Sequence, residues 1–231
     1  RPYREEVTTE PGRLRIGLVE RPVNGGPVDP EVAAALADAA RLCEDLGHEV
    51  VPTVWPDLPA TPASVMSVLS SAGVATAIDD RLAVLGRPLA DDDCDLWLRG
   101  IVEQGRRYSA TDHVRAVATM HAIGRAVAAW SDGFDVLLTP TLATLPPRLG
   151  ELDPQRPILD VLPWLGALTG FLSIFNATGQ PAMSVPLAQA ADGRPIGIHF
   201  AGRFGDESTL LRLAGQLERS RPWPGIAPAF A

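Results

Sequence analysis

Ser70 and Ser71, followed by Ala72 and Gly73, are the residues of this chain whose types and spacing come nearest to nucleophilic chemistry. A serine hydroxyl attacks a carbonyl only when a base within hydrogen-bond reach takes its proton. Lysine cannot serve here, because all 20 basic residues are arginines, and arginine keeps its proton in proteins. His48, His113, His121 and His199 remain, but no G-x-S-x-G elbow exposes a serine to any of them. The serine pair itself lies in VMSVLSSAGVATAI, a run of small and apolar residues that reads as a helix rather than a glycine-rich loop. No catalytic residue is therefore assigned within the chain. A hydrolase built on Ser71 is the exception that a Ser71→Ala variant would reveal.

Metal chemistry fares no better. His113 and His121 stand eight residues apart on one expected helix, about 80° around its axis and about two turns along it, too far to share an ion. Asp91, Asp92 and Asp93 precede another expected helix, where carboxylates suit the positive end of the dipole, and the twelve-residue calcium loop is absent. Cys43 and Cys94 have neither disulfide nor zinc spacing and read as small core residues. Asn24-Gly25-Gly26 lacks the frame of a phosphate loop. No metal and no cofactor is expected.

Two stretches have the character of a binding wall. Trp164 to Phe171, WLGALTGF, is apolar with small residues interspersed, and Trp164, Thr169 and Phe171 are its candidate pocket contacts. The alternative is plain core. Asn176 and Gly179 flank a tight passage before Pro181, where glycine lets main chain approach another surface. Here the alternative is a structural loop feeding a buried strand.

The elements that must hold these residues follow from periodicity and punctuation. Leu14, Ile16, Leu18 and Val19 make a β-prone run ended by Pro22. Asp29 and Pro30 start a helix whose apolar face recurs through Val32, Leu36, Ala39 and Cys43 until Gly47, and Glu49 to Pro52 forms a second strand. Strand, amphipathic helix and strand in that order predict a βαβ crossover, hence a parallel or mixed sheet. Helices alone follow from Thr61 to Trp130, the second of them spanning Asp91 to Gly105 and the third capped by Ser109 or Thr111. Asp135 to Leu138 is a buried strand, and a proline-rich connection reaches about Trp164. Strands at Ala182 to Pro186 and Pro195 to Ala201, turned at Asp192-Gly193, precede a last helix through Leu210 to Leu217. The expected fold is α/β, a mixed sheet flanked by helices, in one domain over 1–231, with 1–13 as a linker arriving from something upstream.

Composition bounds the rest. A hydrophobic fraction of 46% supplies a sizeable core. A net charge of −8, with no basic stripe, argues against nucleic acid and anionic membranes as partners. There is no secretory h-region and no apolar run of membrane-spanning length, so the expected location is cytoplasmic.

Three segments in order resemble amidase-signature hydrolases: LRIGLVE…PVDPEVAAALADAARLCEDLGHEV from Leu14 to Val50, FDVLLTPTLATLPP from Phe134 to Pro147, and FNATGQPAMSVP…DGRPIGIHFAGRFGDESTLLRLAGQLE from Phe175 to Glu218. The opening RPYREEV…PGRLRIG…PVDPE is similar to the subgroup that includes hydrolases of cyclic 6-aminohexanoate dimers. The resemblance implies a serine acyl-enzyme, with a second serine in a cis peptide and a lysine base, all expected upstream of Arg1. It implies that the chain is the C-terminal portion of such a domain, and that Trp164 to Phe171 lines the acyl or amine pocket. Relatives that release ammonia from glutamine place an acid near the position of Thr169. A neutral residue there implies a less polar amide. The implied partners are a small-molecule amide and an upstream N-terminal amidase portion. Apolar faces left open by its removal lead us to expect homo-oligomers. The rival reading is a non-catalytic scaffold or binding subunit with the same fold.

Overall fold

The computed structural model describes residues 2–223. The chain opens with a one-turn helix α1 (Tyr3–Glu6), then strand β1 (Arg15–Leu18), helix α2 (Pro30–Asp45) and strand β2 (Glu49–Pro52). Asp29 caps α2 as expected, its carboxylate accepting from the Glu31 N–H at 2.8 Å. β1 and β2 pair in parallel, which is the expected crossover. Helices α3 (Pro62–Leu85), α4 (Leu96–Arg107) and α5 (Ala110–Ser131) follow, then strand β3 (Val136–Pro140). Helices α6 (Ile158–Leu168) and α7 (Ser173–Thr178), strands β4 (Ala182–Gln189) and β5 (Pro195–Gly202), and helix α8 (Glu207–Ser220) complete the order.

The strands form one five-stranded sheet in the order β2-β1-β3-β5-β4. β3 runs parallel to β1 and antiparallel to β5, and β4 and β5 are an antiparallel hairpin. The sheet is mixed, as read from the sequence. Side chains alternate across the pleat. Ile16, Leu18, Val136, Leu138, Ile198 and Phe200 join α2 and α8 in one core. Leu137 and Ala201 point the other way, into a second core with Val65, Ile123, Val127 and Ile174 from α3, α5 and α7. β3, buried at every position, is the hinge of both layers.

Several expectations need correction. The second long helix begins at Leu96 under an Asp95 cap, not at Asp91. Asp93 instead accepts from the Ala90 N–H at 2.8 Å and pairs with Arg87 at 2.7 Å, so the acidic run builds a turn before the helix. β4 continues past Pro186 to Gln189 through an irregularity between Val185 and Ala188, which an edge strand tolerates. The proline-rich stretch contains α6, with Pro163 inside it. Cys43 is buried, whereas Cys94 is only half-buried. Within the segment 1–13, Glu6 is buried and pairs with Arg212 of α8 at 2.6 Å, and Arg219 donates to the Val7 carbonyl at 3.0 Å, so this stretch is docked on α8.

Glycine permits two close backbone approaches. A Cβ at Gly215 would meet the Val7 carbonyl, and one at Gly105 would meet the Ser71 carbonyl where α3 and α4 cross. Both helix surfaces need bare backbone to close.

Candidate functional site

Trp164 lies on α6 and is half-buried. Thr169 is the residue after that helix, with its hydroxyl donating to the Leu165 carbonyl at 2.8 Å. Thr169 and Gly166 line a narrow 60 Å³ recess together with Asn24 and Thr61. The recess exists because the loop after β1 is stapled to the α6–α7 connection: Asn24 Nδ2 donates to the Gly166 carbonyl at 2.9 Å, and the Val23 N–H to the Gly170 carbonyl at 3.2 Å. Gly170 must stay bare, since a Cβ there would stand 2.7 Å from the Pro22 side chain.

Phe171 is completely buried, so its ring is closed to a ligand. Asn176 and Gly179 sit farther along, on α7 and at its end, and both are exposed. Gly179 has φ of 69° and its N–H closes the helix on the Phe175 carbonyl at 2.9 Å. That is the left-handed cap that glycine favours. The stretch read as a loop is therefore a short helix and its stop. The structure brings Thr169 to the recess, and Asn176 and Gly179 to a separate stretch of surface.

That second surface borders a larger cleft the sequence reading missed, of 530 Å³, between α5 and the turn after β5. Gly124, Ala128 and Ser131 form its floor, Arg125 and Asp132 stand beside them, and Phe204 rises at the rim. The available signal is the recurrence of small residues on α5 between two charges. His121 also lines the cleft. Among the described residues no cluster of His, Cys, Asp and Glu could hold a metal ion.

The other reactive candidates resolve as structural. Ser71 is buried where α3 meets α4, and Ser70 Oγ donates back to the Met66 carbonyl at 2.6 Å within α3. His48 Nδ1 accepts from the Leu14 N–H at 3.1 Å, so its proton is on Nε2, 2.8 Å from Gln216 Oε1. The Cys43 thiol is pushed up to about 12 by burial and is inert. His199 lies beneath Phe175 of α7, ring centroids 4.9 Å apart, with Nδ1 3.3 Å from the Thr139 hydroxyl. That hydroxyl donates to the Pro140 carbonyl, so Nδ1 carries the imidazole proton. Burial pushes its pKa down to about 4, and the ring is neutral at pH 7.

Comparison with known proteins places this geometry. The chain is 32% identical to the 6-aminohexanoate-cyclic-dimer hydrolase of Pseudomonas sp. (strain NK87), over 99% of this chain and 48% of that protein. A solved structure of 6-aminohexanoate cyclic dimer hydrolase superposes with a TM-score of 0.88 at 29% identity, over 99% of this chain and 49% of that one. A bacterial aryl acylamidase of the amidase-signature family shares the fold with a TM-score of 0.76 at 22% identity, over 96% of this chain and 46% of that one. The chain thus spans about half the length of the relatives it matches. No helix among the described residues is long and apolar enough to cross a membrane. The amidase family profile matches residues 1–211, taking in the whole sheet, the recess and the first turn of α8, and on that extent the chain belongs to the amidase family.

Proposed function

We propose that this chain is the C-terminal portion of an amide hydrolase, supplying scaffold and substrate wall while the serine and lysine chemistry is carried by polypeptide outside it. One observation supports the reading above others: an amidase match across residues 1–211 in a sequence whose basic residues are all arginine. In the assembled enzyme a serine hydroxyl would attack the carboxamide carbon as a base removes its proton. The tetrahedral intermediate would collapse to an acyl-enzyme with loss of the protonated amine, and water would then release the acid.

Trp164 and Thr169 would face the substrate, Phe171 would back them, and Asn176 and Gly179 would fix the approach of α7. Thr169 has no charge, and its hydroxyl is already committed to Leu165. A carboxylate that would hold a substrate ammonium is therefore absent at that point, which favours neutral amides over amino-acid amides. The cyclic aliphatic amide named for the relatives fits that preference. The partners in this reading are a small amide and an upstream amidase portion, and the chain without that portion would self-associate through its open apolar surfaces.

The test is amide hydrolysis by this chain alone and mixed with the polypeptide encoded immediately upstream, on a panel of aliphatic, cyclic and aryl amides. Hydrolysis in the mixture only, weakened by Trp164→Ala and shifted toward amino-acid amides by Thr169→Asp, is the expected result. Binding between the pieces with no hydrolysis of any amide would favour the non-catalytic scaffold.

A further inference from the structure

The 530 Å³ cleft beside α5 has a charge pattern of its own. Arg125 and Asp132 are exposed, line the cleft, and have no hydrogen bond or ion pair within the described residues. They are seven residues apart, Arg125 within α5 and Asp132 at its C-cap with helical backbone angles, which puts them on the same face and about 10 Å apart along the axis. His121 joins Arg125 at one end of the cleft. At the other end Arg203 is neutralised by Asp135 at 3.0 Å and held by the Phe134 carbonyl at 3.1 Å, which leaves the Asp132 carboxylate uncompensated. Asp132 is also the residue that ends α5, where the helix carbonyls repel a negative charge and a cation would be welcome.

Between the two charges the floor is low, and the Ser131 hydroxyl on it is turned back onto the Ala128 carbonyl at 3.4 Å. Gly124 lies within α5, and a Cβ there would meet nothing within 4 Å. Glycine in a helix interior destabilises it relative to alanine, and no packing among the described residues requires it. Its effect is to keep the cleft open. Phe204, 78% exposed, gives the cleft an apolar rim.

We propose that this cleft binds an extended zwitterion with an apolar middle, its carboxylate on Arg125 and its ammonium on Asp132. An extended chain advances about 3.5 Å for each three bonds, so a ligand whose length matches the about 10 Å rise between the two residues has about eight or nine bonds between its charged ends. Two sources have that chemistry: an aliphatic ω-amino acid of about eight carbons, and a three-residue peptide with an apolar central side chain. The proposal does not depend on amide hydrolysis by any assembly containing the chain.

The experiment is calorimetric titration of the chain with 8-aminooctanoate and with Gly-Leu-Gly, and with octanoate, octylamine and 4-aminobutanoate as probes lacking one charge or the length. Saturable binding of at least one long zwitterion, about tenfold or more tighter than all three of these, is expected. The tighter of the two long zwitterions identifies the source. Arg125→Gln and Asp132→Asn, both surface changes, should each weaken that binding by about tenfold or more. Gly124→Leu, whose Cβ would meet nothing within 4 Å, should abolish binding while leaving the thermal midpoint unchanged or raised. Absence of binding by both long zwitterions, equal binding of octanoate, or full affinity in Arg125→Gln and Asp132→Asn would overturn the proposal.

Discussion

His199 ties stability to pH in a window that the carboxylates leave clear. Its ring is buried against Phe175 and its pKa is pushed from 6.5 down to about 4 by desolvation of the charged form. The unfolded chain thus takes up this proton at a higher pH than the folded chain does. The stabilisation from the neutral ring is complete above about pH 6.5 and is lost as pH falls toward 4. A displacement from 6.5 to about 4 corresponds to about 3 kcal/mol at full extent, of which about 2 to 3 kcal/mol is gone by about pH 4.5. Asp38, Asp112 and Asp192 have lowered values, each through a hydrogen bond to a neighbouring side chain, and their contributions fade only below the ordinary carboxylate value of 3.8. Urea unfolding of the native chain and of His199→Gln at pH 7 and pH 4.5 isolates the effect. The native chain should lose about 2 to 3 kcal/mol more than the variant between the two conditions. Equal losses in both proteins would refute the assignment of a buried, neutral His199.

Two further substitutions test how bare backbone closes the fold. Gly105→Ala drives a methyl group into the Ser71 carbonyl where α3 and α4 cross; it should cost about 1 to 3 kcal/mol in urea unfolding, and a neutral result would mean the helices are not in that contact. Gly215→Ala meets the Val7 carbonyl and should undock α1 from α8, read as faster tryptic cleavage after Arg4 and Arg13 with little change in global unfolding; unchanged cleavage would place the opening segment elsewhere.

Much of the fold was legible because local signals and the global pattern agree. Asp29-Pro30 and Thr61-Pro62 each mark a helix start, Gly47 and Gly86 each sit past a helix end with positive φ, and the hairpin turns at Gly193 with φ of 87°. The parallel β1 and β2 followed from the single amphipathic helix between them. The misses are also physical. Three aspartates in a row outweighed the lone Asp95 as a cap, yet Arg87 and the Ala90 N–H had already claimed Asp93. Prolines from 146 to 163 read as loop, although α6 tolerates Pro163. The docking of residues 3–7 depends on a pairing between Glu6 and Arg212, more than two hundred residues apart in sequence, which no local pattern announces. In the candidate site, the apolar run at 164–171 was visible as composition, but the loop that converts it into a recess at Thr169 is set by Asn24 bonding to Gly166. The α5 cleft has little signature in the sequence because its floor is made of small residues, Gly124, Ala128 and Ser131, rather than reactive ones.

The central claim is that this amidase-family chain contributes fold and wall but no nucleophile, and covalent labelling tests it most directly. The chain, alone and mixed with the polypeptide encoded immediately upstream, would be treated with a serine-reactive fluorophosphonate and weighed intact by mass spectrometry. We predict an unmodified mass for this chain in both samples, with the adduct on the other polypeptide in the mixture. A stoichiometric adduct on Ser71, or on any serine of this chain, together with amide hydrolysis by the chain alone, would contradict the account.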